Sequence, residues 1–154
     1  AQIVHNQKLE VLDQLIEEAN GQPVLVFYNY KHELDRLQAR YPQAVHVKEE
    51  NVVKRWNAKE IPILLANPAS AGHGLNLQFG GHIAIWYSPT WNLEFFQQAN
   101  KRLHRRGQAE TVLIHTLSAK GTIDERIYDI VLRNKEAGQN ALLEAVKARI
   151  KEVT

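Results

Sequence analysis

The 154-residue chain contains no cysteine and no methionine. Without cysteine it can form neither a disulfide framework nor a thiolate metal site. Its apolar runs are only a few residues long, whereas a membrane-spanning helix needs roughly 20. The first residues, AQIVHNQKLE, lack the basic start and the continuous apolar segment of a secretion signal. We therefore expect a cytoplasmic protein without a membrane span and, because the chain begins at Ala1, a piece of a longer protein.

Acidic side chains are scarce in the middle of the chain. The net charge is only +2, yet residues 61–109 carry four basic side chains and one acid, Glu94. The four basic residues lie close together, at Lys101, Arg102, Arg105 and Arg106. A basic patch on a nearly neutral chain is typical of a phosphate or polyanion site, and equally of the solvated end of a helix.

Short apolar segments alternate with helical ones along the chain. Strands are predicted at 24–28, 45–47, 61–66, 83–87 and 111–117, with helices at 9–19, 31–40, 50–59 and 92–105. Strands so uniformly apolar are buried on both faces, as in a parallel sheet covered by helices. The pattern predicts one three-layer α/β domain, 1–154, with a mainly parallel sheet of about five strands. Ligands are then expected at loops that leave the carboxyl ends of the strands.

The end of the chain is predicted to be helical. Residues 122–125, Thr-Ile-Asp-Glu, have the pattern of a capping box that starts a helix. Gly138 is expected to divide this region into helices over 122–137 and 139–152. The prediction is therefore a helical C-terminal extension, 122–154, packed on the sheet domain.

Small residues dominate the loop after the third predicted strand, residues 67–78. Such residues let backbone amides approach a phosphate closely, although a tight turn with glycine at positive φ would have the same composition. The loop is not a Walker A motif, because the chain contains no Gly-Lys-Ser/Thr. It is not a dinucleotide fingerprint either, because the third glycine would fall at Leu77.

The predicted helix 92–105 would place three polar side chains on one face. Gln98, Arg102 and Arg105 are spaced at i, i+4 and i+7. Guanidinium groups are planar, permanently charged and able to bind phosphate oxygens in pairs. The spacing therefore predicts either a polyphosphate site or a solvated basic face.

Together these segments resemble the C-terminal lobe of Swi/Snf-type superfamily-two helicases and DNA translocases. Residues 98–108, QANKRLHRRGQ, match every specified position of the family's motif VI, Q-A-x-x-R-x-H-R-x-G-Q. GLNL at 74–77 is similar to the family's motif V, and PVLVFYNY at 23–30 is similar to its motif IV. Trp91-Asn92 matches the family's W-N pair, and IDERI at 123–127 is similar to its V-E-E-R-I. The chain departs from the family at 70–73, where Ser-Ala-Gly-His replaces the Ala-Gly-Gly that usually precedes GLNL. Its short segment between 40 and 60 favours a compact bacterial or phage-like member.

The resemblance implies a RecA-like fold and the second motor lobe of an ATP-dependent, DNA-stimulated translocase. By motif match, Arg105 and Arg102 are candidate arginine fingers, with Arg105 the better one. Gln98 and Gly74 join them as candidate ATP-binding residues. The family's first RecA-like lobe carries the Walker A loop and binds most of the ATP and Mg²⁺. This chain alone is therefore expected to be inactive as an ATPase.

The resemblance also implies contacts with a nucleic-acid backbone. The candidates by motif match are Asn29, Ser70, Gly72, Asn76 and Trp91, although a core position for Trp91 fits the sequence equally. Duplex DNA, bound without sequence preference, is the expected partner, with forked DNA and RNA left open. The alternative is a non-catalytic nucleic-acid-binding or protein-docking module of the same fold. No metal site is predicted within the chain.

Overall fold

The structure is a computed structural model that describes residues 2–71, 75–119 and 146–153. Its helices are α1 (Gln2–Glu18), α2 (Lys31–Arg40), α3 (Val52–Asn57), α4 (Pro68–Ala71) and α5 (Leu93–Asn100). Its strands are β1 (Val24–Phe27), β2 (Val45–His46), β3 (Ile63–Ala66), β4 (Ile83–Trp86), β5 (Val112–Ala119) and β6 (Val146–Val153). In this part of the chain, no helix has the length and apolar character needed to cross a membrane.

The strands form one sheet in the order β2-β3-β1-β4-β5-β6, and every neighbouring pair is parallel. The central strand β1 pairs Val24 with Ile63 of β3 on one side and with Ile83 of β4 on the other. All residues of these three strands are buried. The first five strands lie where the apolar runs predict them, and the predicted α/β fold with a mainly parallel sheet is confirmed.

Helices cover both faces of the sheet because successive strand side chains point in opposite directions. On one face, Phe27 of β1 joins Phe96 of α5 and side chains of α3 in an apolar cluster. On the other face, Val26 packs with Leu12 of α1 and Leu37 of α2. The result is the predicted three-layer arrangement, with a core on each side of the sheet.

The prediction of a helix over 139–152 is wrong for the part that the structure describes. Residues 146–153 form β6, which pairs with β5 in parallel and aligns Val146 with Val112. The physical reason is visible in the sequence, since Val146, Ala148 and Ile150 alternate with charged residues. This period of two is typical of a strand rather than a helix. The predicted helix 122–137 lies outside the described residues.

The helix predicted over 92–105 ends at Asn100. The side chain of Asn100 is fully buried, and its Oδ1 accepts a hydrogen bond of 2.9 Å from the indole Nε1 of Trp86. Beyond it, the N–H groups of Arg102 and Leu103 donate to carbonyls three residues back, which tightens the chain into turns. The spacing predicted that Arg102 and Arg105 share a helix face with Gln98. This prediction is wrong, because the helix ends before both arginines.

Candidate functional site

The predicted arginines lie on residues 101–107, which we call the arginine turn. Helix α5 begins after the carboxyl end of β4, and the arginine turn leads from its last residue toward the amino end of β5. Because β4 and β5 are parallel, the turn lies toward the amino-terminal edge of the sheet. The arginine turn is therefore not at the carboxyl ends of the strands, where the sequence led us to expect ligands.

Arg102 is the buried member of the arginine turn, with only 8% of its surface exposed. Its guanidinium donates hydrogen bonds from Nε to the carbonyl of Gln98 at 3.0 Å and from a terminal nitrogen to the carbonyl of Leu75 at 3.4 Å. Burial lowers the pKa of Arg102, and the positive charge of Arg105 lowers it further. Arg102 thus holds the chain at Leu75 against the end of α5.

Arg105, by contrast, is exposed. It opens onto a groove of about 520 Å³, the arginine groove, which is lined by Asn76, Gln78, Lys101, Arg102, His104, Arg105 and Arg106. None of these described lining residues is acidic, so the groove has the charge that a polyphosphate requires. Gln98 does not line the groove, and its side-chain amide donates to Glu94 at 3.1 Å instead.

Hydrogen bonds join the arginine turn to residues 75–81. The N–H of Leu77 donates to the carbonyl of Arg102 at 3.1 Å, and the indole of Trp56 donates to the carbonyl of Leu77 at 2.7 Å. Gln78 donates to the carbonyl of Arg106, and Gln108 bridges the carbonyls at 81 and 103. Sequence reasoning missed Gln78, because its partner is a backbone atom distant in sequence.

Asn29 lies at the other edge of the sheet, just beyond the carboxyl end of β1. Its side-chain amide donates to the carbonyl and hydroxyl of Ser88, both at 3.0 Å, and to the carbonyl of Pro89 at 2.6 Å. Its own carbonyl accepts a hydrogen bond from Asn67. The structure therefore directs the Asn29 amide into the protein, where it connects the loops that follow β1, β3 and β4.

Glu33 strengthens this connection and was not predicted as a site residue. Its carboxylate is 3% exposed and accepts from the N–H groups of Asn29 at 2.9 Å and Tyr30 at 3.2 Å. It also accepts from the hydroxyl of Ser88 at 2.7 Å. The sequence did hold a signal for Glu33. It is an acid in the first turn of a predicted helix, where a carboxylate can accept hydrogen bonds from the unpaired N–H groups.

Trp91 is 54% exposed, which decides against a core position, whereas Trp56 and Trp86 are fully buried. It lies at a depression of about 320 Å³, the aromatic pocket, which is lined by Asn29, Tyr30, Asn67, Pro68, Ala69, Pro89, Thr90, Trp91, Asn92 and Phe95. Ser70 is half-buried on the adjacent α4.

The structure divides the predicted nucleic-acid residues between two places. Asn29 and Trp91 meet at the aromatic pocket, whereas Asn76 is exposed at the arginine groove. Gly72 and Gly74 lie outside the described residues. Within 2–71, 75–119 and 146–153, no group of three or more His, Cys, Asp or Glu side chains could hold a metal ion.

Residues 7–107 match the family described as the helicase conserved C-terminal domain. The chain belongs to this family. A putative protein p41 of Acyrthosiphon pisum secondary endosymbiont phage 1 is 40% identical over 153 residues, which is 95% of this chain and 33% of the phage protein. The chromatin-remodeling ATPase INO80 of Mycosarcoma maydis is 32% identical over 170 residues, 98% of this chain and 9% of INO80. The chain thus spans a minor part of each relative.

A solved structure supports the same assignment of fold. The C-terminal part of the Fun30 ATPase domain is similar with a TM-score of 0.71 and 24% identity, over 80% of this chain and 44% of that one. The predicted RecA-like fold is therefore confirmed. The resemblance to a C-terminal lobe of the Swi/Snf-type helicases is confirmed as well, and the phage protein agrees with a phage-like member.

Proposed function

We propose that this chain is the second motor lobe of an ATP-dependent, nucleic-acid-stimulated translocase of the Swi/Snf type. Membership of the helicase C-terminal domain family supports the ATPase class. The observation that carries the proposal is Arg105, an exposed guanidinium in a cationic groove with no acidic residue among its described lining. The lobe would act in the cytoplasm and together with a first RecA-like lobe.

The arginine groove fits the phosphates of ATP, with Mg²⁺ and most of the nucleotide bound by the first lobe. Arg105 would be the arginine finger, stabilising the negative charge that develops on the transferred phosphoryl group. Arg102 also faces the groove, but its nitrogens hold two backbone carbonyls, so its role would be to position the arginine turn. Gln98 would bind ATP only by exchanging its hydrogen bond with Glu94. Gly74 remains a prediction.

The nucleic-acid partner would be DNA, most simply a duplex, bound without sequence preference. Ser70 and Trp91 are the proposed contacts at the carboxyl edge of the sheet, and Gly72 remains a prediction by motif match. Asn29 would act by positioning the loops that carry them, because its amide is bonded within the protein. Asn76 would link the two activities, since it lies in the arginine groove.

The test compares two neighbouring arginines in a protein that carries both lobes. Arg105→Ala should lower the rate of ATP hydrolysis by roughly 10³-fold or more, the usual effect of losing an arginine finger. Arg106→Ala removes the same charge from the same groove and should cost only several-fold. The purified 154-residue chain should show no turnover of its own. Equal losses in the two variants, or turnover by the isolated chain, would contradict the proposed roles.

A further inference from the structure

The backbone around Arg105 is held at several points, although its side chain is exposed. The N–H of Arg105 donates to the carbonyl of Leu103, and the N–H of Gln108 donates to the carbonyl of Arg105, both at 3.1 Å. Arg105 therefore lies in a short loop that begins at Leu103 and ends at Gln108. A guanidinium on such a loop reaches a defined point only if the loop has a single conformation, and small misplacements are costly for catalysis.

The side chain of Gln108 closes this loop. Its Nε2 donates to the carbonyl of Leu103 at 3.0 Å and to the carbonyl of Gly81 at 2.9 Å. Its Oε1 accepts a hydrogen bond from the N–H of Glu110 at 3.1 Å. Gln108 thus joins the end of the loop to its beginning and ties both to the segment that precedes β4.

The side chain of Gln78 holds the same loop from its other side. Its Nε2 donates to the carbonyl of Arg106 at 3.2 Å, and the residue is only 8% exposed. The Oε1 of Gln78 is buried and has no hydrogen-bond partner in the described part of the chain, so the bond to Arg106 is what offsets the burial of this amide. The carbonyls of Leu103 and Arg106, which flank Arg105, are therefore each held by a glutamine amide.

Glycines allow the two segments to approach closely enough for these bonds. Gly107 has a φ of +97°, which favours glycine, and a Cβ there would lie 2.7 Å from the ring of Phe79. On the other side of the segment, a Cβ on Gly80 would overlap the carbonyl of Trp56 in α3. Residues 78–81 are thus packed between α3 and the arginine turn, and they give the glutamine bonds a fixed base.

We propose that Gln78 and Gln108 are the positioning residues of the arginine finger. They touch no ligand themselves, and they act by fixing the backbone on both sides of Arg105. The inference rests on the proposed function for the role of Arg105. It deepens that function, because a guanidinium on an already ordered backbone is preorganised for the charge that develops on the phosphoryl group.

A positioning role has a kinetic signature, because it lowers kcat and leaves KM for ATP unchanged. The variants are made in a protein that carries both lobes. Gln108→Glu keeps the shape and the acceptor but loses both donated bonds, and nucleic-acid-stimulated hydrolysis should fall about 10²-fold. Gln108→Met removes these bonds without adding a charge and should behave alike. Gln78→Met removes a single bond and should cost only several-fold.

Gln22 offers a matched control. It lines the same cavity of about 440 Å³ as Gln78 and Gln108, but it is exposed. Gln22→Glu therefore adds a negative charge to this cavity, as Gln108→Glu does, and should leave kcat unchanged. In a second test, Gln108→Glu is combined with Arg105→Ala. Because the glutamine acts through Arg105, the double variant should be no slower than Arg105→Ala alone.

Several results would overturn the proposal. A loss in Gln22→Glu as large as that in Gln108→Glu would assign the effect to charge, and losses that multiply in the double variant would show that Gln108 does not act through Arg105. Circular dichroism at the assay temperature checks folding, and failure of the variants of both glutamines to fold would make the bonds merely structural. An unchanged rate in Arg105→Ala would instead refute the proposed function, so the two failures are distinguishable.

Discussion

The aromatic pocket and the arginine turn lie at opposite ends of α5, and they differ in the chemistry that they offer to a ligand. The pocket is lined by rings and neutral amides, whereas the groove at the turn is lined by four basic side chains and no acid among its described lining. Both are nevertheless held in the same way, by buried polar side chains that bind backbone atoms. Glu33 does this at the pocket and Arg102 does it at the turn.

The comparison teaches that two residues of the same motif or of the same pocket can have opposite tasks. Arg102 and Arg105 belong to one motif, yet one is buried on carbonyls and the other is exposed. Asn29 and Trp91 lie at one pocket, yet one is bonded inward and the other faces solvent. The exposed member of each pair is available to a ligand, and the member that is hydrogen-bonded within the protein keeps it in place.

The largest effect should come from Trp86, because it packs against the middle of α5 and holds its last residue. Its ring packs between Phe27 and Phe96, with centroids 4.5 and 4.8 Å away, and its indole holds Asn100. Trp86→Ala should lower the free energy of unfolding by about 3–5 kcal/mol, measured by urea denaturation, and impair both sites together. Trp91→Ala should change it by less than about 0.5 kcal/mol, because Trp91 is exposed. A similar cost for both would contradict this view of the core.

A smaller effect, confined to the aromatic pocket, is expected for Glu33→Ala. The change removes the acceptor of two backbone N–H groups and of the Ser88 hydroxyl, and it should cost about 2 kcal/mol of unfolding free energy. Nucleic-acid binding at the aromatic pocket should weaken, while the ATP hydrolysis proposed for the arginine turn should be nearly unchanged. Asp35→Ala, on the same helix with an exposed carboxylate, is the control. Equal damage at both sites would erase the distinction between them.

The smallest effect is a pH dependence at the carboxyl edge of the sheet. His46 bonds to the hydroxyl of Tyr28 at 2.6 Å, and its Nδ1 accepts from the N–H of Lys48 at 3.1 Å, which requires a neutral ring. Burial lowers the pKa of His46 below its ordinary 6.5, and the charge of Lys48 adds to the shift. Just below pH 6.5, His46 is therefore protonated more often in the unfolded chain than in the folded one. The contribution of His46 to stability should be fully present above pH 6.5 and should be lost as the pH falls toward its lowered pKa.

Urea denaturation between pH 7.5 and 5 measures this decline. His46→Asn should remove part of the slope, since asparagine does not titrate. His82→Asn is the control, because His82 lies toward the amino-terminal edge and contacts the carbonyl of Thr111. A slope that persisted in His46→Asn and disappeared in His82→Asn would place the pH dependence at the wrong end of the sheet.

Much of the fold could be predicted from local patterns. The first five strands lie where apolar runs were found, because strands buried on both faces need such runs. The end of α5 could not be predicted, since the bond from Trp86 to Asn100 joins residues of different elements. The strand β6 was missed because the preceding capping signal favoured a helix over its period of two.

The site was predictable to the level of the motif but not of the side chain. The sequence predicted Arg102 and Arg105 as neighbours in one site. It could not show that Arg102 is already hydrogen-bonded to the carbonyl of Leu75. It identified Asn29 but not the loop that binds its amide. Glu33 and Gln78 were missed because their function depends on backbone atoms brought close only by the folded sheet.

The central claim is that ATP chemistry and nucleic-acid binding occupy different ends of α5. One measurement tests it most directly: hydrolysis rate and nucleic-acid affinity, determined on the same Arg105→Ala preparation of a protein with both lobes. We predict that nucleic-acid-stimulated hydrolysis falls by roughly 10³-fold or more, while the dissociation constant for nucleic acid stays close to that of the wild type. A proportional loss of both would contradict the separation and the role of Arg105 as the finger.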